Sequence, residues 1–424
     1  MIKILFFALL FWAFTVRAQE EKPFEAPKLI VGIVVDQMRF DYLTRFWDRY
    51  SEDGFKRMVN QGFNAKNHHF NYIPTVTGPG HASVYTGATP SVHGILGNNW
   101  YDKFAKEIVY CAGDSAYPAL GTENKSGMAP TRMLTTTITD QLRIHYQFKS
   151  KVIAVSVKDR GAVFPGGHTA NAAYWYEGGS TGDWISSTYY MDELPKWVQK
   201  YNKSKAVERY KQVWETLEPL DTYTESGSDR NDYEGLSKGE EHSGFPHHID
   251  KLWDQNGAFS SLSATPFGNS ILTDFALEAL TQEELGADEI PDFLAISYSS
   301  TDYVGHKYGV NSVEVQDTYM RLDLELARLF SQLDQTVGEG EYMVFLTADH
   351  GAVHVPAFLS DHNIPSGYID SKAFMQSLHK LIEDRYGRID ILENLSYNEL
   401  FLNHALINEL GLDLRAVREN IADM

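Results

Sequence analysis

Several short apolar runs along the chain stop abruptly at polar chemistry. Leu29 to Val35 reads LIVGIVV and stops at Asp36, and Val152 to Val157 reads VIAVSV and stops at Lys158. Phe293 to Ser297 lies just ahead of a turn carrying Asp302, and Tyr342 to Leu346 just ahead of Thr347-Ala348-Asp349-His350-Gly351. Continuous runs rich in β-branched residues predict strands buried on both faces. Helical patterns lie between them. The clearest places Val315, Tyr319, Leu322, Leu326, Leu329 and Leu333 at alternating spacings of four and three, which predicts an amphipathic helix with one apolar stripe toward a sheet. Strands alternating with helices predict an α/β fold with a mixed, mostly parallel central sheet and helices on both faces. Such sheets bind ligands beyond the carboxyl ends of their strands. Each polar group just named falls at such an end, so four distant segments are expected to converge on one site.

The alternation fades from Thr169 to Ser263, where Trp175, Trp184, Tyr189, Tyr190, Trp197, Trp214 and Trp253 stand among many Ser, Gly and Asp. This predicts an inserted, aromatic-rich cap (169–263) between two halves of an α/β core (27–168 and 264–355); long surface loops with aromatic anchors would give the same pattern. A second insertion is expected over 356–424, with helical patterning around Phe374 to Ile382 and Leu412 to Ile421. At the start of the chain, Lys3, the apolar run Ile4 to Val16, and Val16-Arg17-Ala18 predict a secretory signal peptide over residues 1–18 and export to the periplasm or beyond. An uncleaved anchor shares that hydropathy. No other long apolar run follows, so no membrane span is expected once the leader is removed.

Composition narrows the function. The 424 residues carry 37 Lys+Arg against 57 Asp+Glu, a net charge of −20. Phosphate backbones need clustered cations, so an acidic surface of this kind excludes a duplex nucleic-acid binder. A phosphate-bearing small molecule would have to be met by metal ions or a local basic pocket. With 43% hydrophobic residues, a disordered chain is excluded as well. The single cysteine, Cys111, excludes an intrachain disulfide and a Cys-rich zinc site.

Six stretches carry candidate chemistry. In Ile73-Pro74-Thr75-Val76-Thr77-Gly78-Pro79-Gly80-His81, the glycines and proline predict a tight turn into a helix near His81. Thr77 would sit at its N-terminus, where the dipole favours an anion; it is a nucleophile if deprotonated and otherwise a cap. Asp302 and His306, four apart, share a helical face as two metal ligands do. Asp349-His350 follows one strand run and Asp36 another. Lys158-Asp159-Arg160 sets two cations after a third strand, and Gly97-Asn98-Asn99-Trp100 is an Asn-rich turn.

Taken in order, VVDQMR, PTVTGPGH, HGILGNNWYD, VKDRGAVFPGG, TDYVGHKYG and TADHG resemble the alkaline phosphatase superfamily. The match is to its type I phosphodiesterase/nucleotide pyrophosphatase branch, and there most nearly to the phosphate-insensitive PafA-type bacterial alkaline phosphatases. The resemblance runs from about Lys28 to Ile421 and implies an alkaline-phosphatase-like fold with two zinc ions. Asp36, Asp349 and His350 match the ligands of one zinc, which also contacts the Thr77 oxygen; Asp302 and His306 match two ligands of the other. Thr77 matches the nucleophile, and Asn98 the amide that holds a phosphoryl oxygen. Lys158 and Arg160 match the cationic pair that favours phosphate monoesters. The implied activity is an exported zinc-dependent monoesterase with a phospho-Thr77 intermediate. A nucleotide phosphodiesterase shares Thr77 and the ligands, and a fragment without activity is the third reading. The second zinc of the family has a further His well beyond the Asp-His pair. His354, His362, His379 and His404 do not sit in its motif, so the chain is expected to end within the last insertion.

Overall fold

The computed structural model describes residues 26–123, 127–396 and 399–423. The predicted signal peptide, residues 1–18, lies outside them. In chain order the strands are β1 (Leu29–Val35), β2 (Asn99–Asp102), β3 (Glu107–Tyr110), β4 (Ala119–Leu120), β5 (Val152–Ser156), β6 (Ala172–Tyr176), β7 (Trp184–Ser187), β8 (Asp292–Tyr298), β9 (Tyr342–Thr347), β10 (Leu392–Ser396) and β11 (Glu399–Leu402). Among the described residues, one sheet of seven strands runs in the order β4-β7-β6-β5-β8-β1-β9. Its centre is parallel: β1 pairs β8 and β9, and β5 pairs β8 and β6, while β6–β7 and β7–β4 are antiparallel. The registers bring the strand ends level. Val35 lies opposite Tyr298, Val34 opposite Thr347, and Ser156 opposite Ser297. The residues that follow, Asp36, Lys158, Ser299 and Ala348, therefore emerge along one edge.

Five helices surround the site and its sheet, α1 (Thr77–Thr86), α2 (Asp159–Gly166), α3 (Phe267–Gln282), α4 (Ser300–Tyr308) and α5 (Val313–Leu333), and α6 (Ser371–Tyr386) belongs to the C-terminal residues. Successive β1 side chains alternate faces, as a strand requires. Leu29, Val31, Ile33 and Val35 pack in one core with Phe275 of α3 and Leu322, Leu326 and Leu329 of α5. Ile30 and Val34 pack in another with Tyr85 of α1 and Ala162 of α2. Gly32 lies on this second face, where an added Cβ would meet Tyr85 Oη at 2.6 Å. The bare backbone lets α1 lie close on the sheet.

Two expectations are corrected here. Residues 172–176 and 184–187, read as part of a cap, are β6 and β7 of the central sheet, and every residue in both is buried. Their aromatic residues signal core. Trp184 stacks on Phe275 at 4.1 Å, and Tyr174 and Trp197 pack on the same ring. Second, β9 is the sheet's edge strand and only half buried, where burial on both faces was expected; a neighbour covers it on one side alone. The rest of the stretch from Thr188 to Ser263 holds one short α-helix and several 3₁₀ turns. Trp214 anchors it to α5, donating from Nε1 to Asp317 Oδ2 at 2.7 Å. The C-terminal residues form a small core of their own around Leu378, Ile382, Ile391, Ile407 and Val417.

Candidate functional site

Asp36 follows β1, and its backbone N–H still pairs with Tyr298 O of β8 at 2.9 Å. Its carbonyl accepts from Thr301 Oγ1 at 2.6 Å, which ties β1 to the first turn of α4. Asp302, one residue on, faces Asp36 across the ammonium of Lys158. Nζ lies 2.7 Å from Asp36 Oδ2, 2.5 Å from Asp302 Oδ2 and 4.8 Å from the Tyr303 ring centroid. His350 Nε2 lies 3.2 Å from Asp36 Oδ1, 3.7 Å from Asp349 Oδ2 and 3.9 Å from Asp302 Oδ1. His306 Nε2 lies 3.2 Å from Asp302 Oδ1, one helical turn along α4, and its side chain is 72% exposed.

Thr77 is the first residue of α1 and is buried. The helix begins there, four residues before the predicted start near His81. Val76 gives no side-chain cap; Asn98 does so from a distance, its Oδ1 accepting from Gly78 N at 2.7 Å. That bond fixes the orientation of the Asn98 amide. His81 joins α1 to the carboxylates: Nδ1 is 2.9 Å from Thr77 O and 3.2 Å from Asp349 Oδ2, and Nε2 is 2.8 Å from Ser297 Oγ. At Gly80 an added Cβ would lie 2.4 Å from Asp349 O, so this helix start reaches Asp349 only without a side chain at that position. Arg160 is held by other partners than Lys158. Its Nη1 is 3.1 Å from Tyr110 Oη, which is hydrogen-bonded to Asp159.

The electrostatics follow from burial. Burial raises the Asp36 carboxyl, but Lys158 and His350 outweigh it and hold it well below the usual range. Burial and Asp36 push Asp302 up, while His306 and Lys158 bring it net down. Burial and the Asp36 charge raise Asp349. Burial lowers the His350 imidazole, yet Asp349 and Asp36 lift it to about 10. Three buried carboxylates thus demand positive charge, and a buried charge without a partner is costly.

The donor set suits a metal. Asp36, Asp302 and His350 each offer a ligand atom, all within 4.8 Å of one another. Asp36 Oδ1 and Asp349 Oδ2 are buried and accept no aligned hydrogen bond. Carboxylate oxygen with imidazole nitrogen fits zinc and similar divalent ions. The tight group draws Asp36 and His350 from one expected ligand set and Asp302 from the other.

Several residues here were missed by the sequence reading. Gln37 has a left-handed backbone (φ 64°); its Nε2 donates to Asp302 Oδ1 at 2.8 Å and its N–H to Asp349 Oδ1 at 3.2 Å. Gln37 and His81 lie inside VVDQMR and PTVTGPGH, but their role depends on contacts 265 or more residues away in sequence for Gln37 and could not be read locally. His354, His362, His379 and His404 make no ion pair with Asp302 among the described residues; His354 accepts from Asn311 and stacks on Phe358.

The sequence profile described as type I phosphodiesterase / nucleotide pyrophosphatase matches residues 30–420. The chain belongs to this family. A Myroides odoratus relative named a calcium-transporting ATPase is 47% identical, with 94% of this chain and 72% of that protein covered. Alkaline phosphatase PhoV of Synechococcus elongatus is also 47% identical, over 94% of this chain and 70% of its own length. The crystal structure of wild-type alkaline phosphatase PafA superposes with a TM-score of 0.89 at 41% identity, covering 94% of this chain and 76% of that one. The fold and the PafA-type resemblance expected from the family motifs are those found. Among the described residues, no helix is long and apolar enough to cross a membrane.

Proposed function

We infer that the protein is a phosphomonoester hydrolase of the alkaline phosphatase kind, using two zinc ions and Thr77 as nucleophile. The observation that carries this reading is the meeting of Asp36, Asp302, Asp349 and His350 at the level ends of three parallel strands, with the α1 N-terminus docked beside them through His81. The names of PhoV and PafA support the substrate class.

Asp36, Asp349 and His350 would hold one ion, and Asp302 and His306 the other. Bound there, zinc lowers the pKa of a coordinated hydroxyl or water and offsets phosphoryl charge. The chain's own groups do the rest. Thr77 Oγ1 forms the new bond to phosphorus as the ester oxygen leaves, giving phospho-Thr77, and water then releases phosphate. The positive end of the α1 dipole favours the anion, although Gly78 N already donates to Asn98 Oδ1 and Gly80 N to Val76 O. Asn98, already oriented by Gly78, keeps its amide N–H for a phosphoryl oxygen. Lys158 and Arg160 supply charge-assisted bonds, and these matter most for a dianionic monoester. The leader pattern supports export.

The test is a comparison of monoester and diester hydrolysis by the zinc-loaded protein. A preference for the monoester that falls on loss of Lys158 or Arg160 fits. A diester preference supports the nucleotide phosphodiesterase reading instead.

A further inference from the structure

The hairpin of β2 and β3 carries a residue that the sequence reading passed over. Asn99 lies opposite Tyr110 in its register, and Cys111 N donates to Asn98 O at 2.9 Å. The two strands therefore hold Asn98 and Tyr110 as neighbours at the open end of the hairpin. That end is wedged between α1 and α2. Cys111 is buried with Ala82 of α1 and Val163 of α2, and Tyr110 packs on the same cluster. A Cβ built on Gly78, next to Thr77, would lie 3.2 Å from both Asn98 Oδ1 and Cys111 Sγ. Close packing thus joins the start of α1 to the strand ends that carry Asn98 and Tyr110.

Tyr110 stands between Asp159 and Arg160, the first two residues of α2. Arg160 Nη1 is 3.1 Å from its hydroxyl, and that hydroxyl is hydrogen-bonded to Asp159 Oδ1. The direction of each bond is fixed by chemistry. A guanidinium only donates, and an ionised carboxylate only accepts. The hydroxyl therefore gives its proton to Asp159 and turns a lone pair to Arg160. Burial and the Asp159 charge push the phenol up from its ordinary pKa, so it keeps that proton. Asp159 is itself fixed, since the same Oδ1 accepts from Arg160 N. Among the described residues the guanidinium has no other hydrogen bond and no ion pair, and its Nε is buried without a partner. One phenol decides where Arg160 points, and it occupies the Asp159 oxygen that a direct ion pair would use.

We propose that Tyr110 is the positioning residue of Arg160: its hydroxyl, anchored on Asp159, sets the guanidinium for the phosphoryl oxygens of a monoester and leaves the remaining N–H groups for them. This rests on the reading of Arg160 as a phosphoryl contact. A guanidinium grips two oxygens only when its plane is set, and a long side chain free to turn loses part of that bond to entropy. The gain is greatest for the ester with most charge on those oxygens. Asn98 and Arg160 then owe their positions to the same hairpin, one through the main chain and the other through a side chain.

The test is a mutant cycle on the zinc-loaded full chain, with p-nitrophenyl phosphate and its methyl diester as substrates. Tyr110→Phe keeps the ring and removes only the oxygen. It should lower kcat/KM about three- to tenfold for the monoester, the range for one neutral hydrogen bond, and less than about twofold for the diester. In an Arg160→Ala background the same change should cost less than about twofold for either substrate, because the two residues act as a unit. Should Tyr110→Phe not fold, Asp159→Ala removes the acceptor on the other side of the hydroxyl and should show the same dependence on Arg160. A loss equal for both substrates, or one undiminished in Arg160→Ala, would overturn the proposal, since a residue that merely packs acts without Arg160. Arg160→Ala with no effect on the monoester would overturn it together with the reading it rests on. A loss in Arg160→Ala and none in Tyr110→Phe would overturn it alone.

Discussion

Two groups of buried carboxylates flank α4, and they answer the same electrostatic demand differently. At the strand ends, Asp36 and Asp302 hold Lys158 between them, with His350 and His306 on the remaining oxygens. Behind α4, Glu234 and Glu314 are buried as well, but their partners are neutral Asn231 and a His247 shared with Glu240, and neither has a cation of its own. The first group belongs to rigid elements: three strands in register and two helix starts. The second joins an irregular segment to one helix turn. The difference is one of support: only the first group has the fixed positions that catalytic groups need.

The largest effect should come from the nucleophile. Thr77→Ala should remove nearly all turnover of a phosphomonoester while leaving the circular dichroism spectrum and much of the zinc binding intact. Glu234→Gln should leave kcat close to wild type, and a comparable loss there would erase the distinction between the two groups. Asp36→Asn should come next. It removes one ligand and half of the Lys158 clamp, so zinc content measured by atomic emission should fall toward one ion per chain. Full retention of both ions would show that Asp36 is no ligand.

Smaller again is the loss of either cation. Lys158→Ala or Arg160→Ala should cost about 1.5–3 kcal/mol in kcat/KM for a monoester, the range for a hydrogen bond to a charged group. The diester rate should fall less, because a diester carries one charge fewer. Equal losses would mean that the pair only supports the fold, and that the bond from Arg160 to Tyr110 does the same.

What could be read from the sequence divides along the same line. β1, β5 and β8 were legible because buried parallel strands are continuous apolar runs, β9 because its run is apolar even though the edge strand is only half buried, and α5 because its stripe is long. β6 and β7 were not: AAYWY and WISS mix small and aromatic residues, and their place in the core depends on Phe275, which is about a hundred residues later. Asp36, Lys158 and Asp349 could be expected together because each follows a strand within two residues, and Thr77 because it opens a helix. Gln37 and His81 were missed because their partners are distant in sequence. Glu234 lies in the stretch with the weakest pattern, and Tyr110 meets Arg160 only on folding.

The most direct measurement is an acid quench of the zinc-loaded protein during turnover of a phosphomonoester, followed by peptide mapping. Covalent phosphate on the Thr77 peptide, absent in Thr77→Ala, is the expected result. Phosphate on Thr75 or Ser83, or turnover by Thr77→Ala at the wild-type rate, would contradict the account.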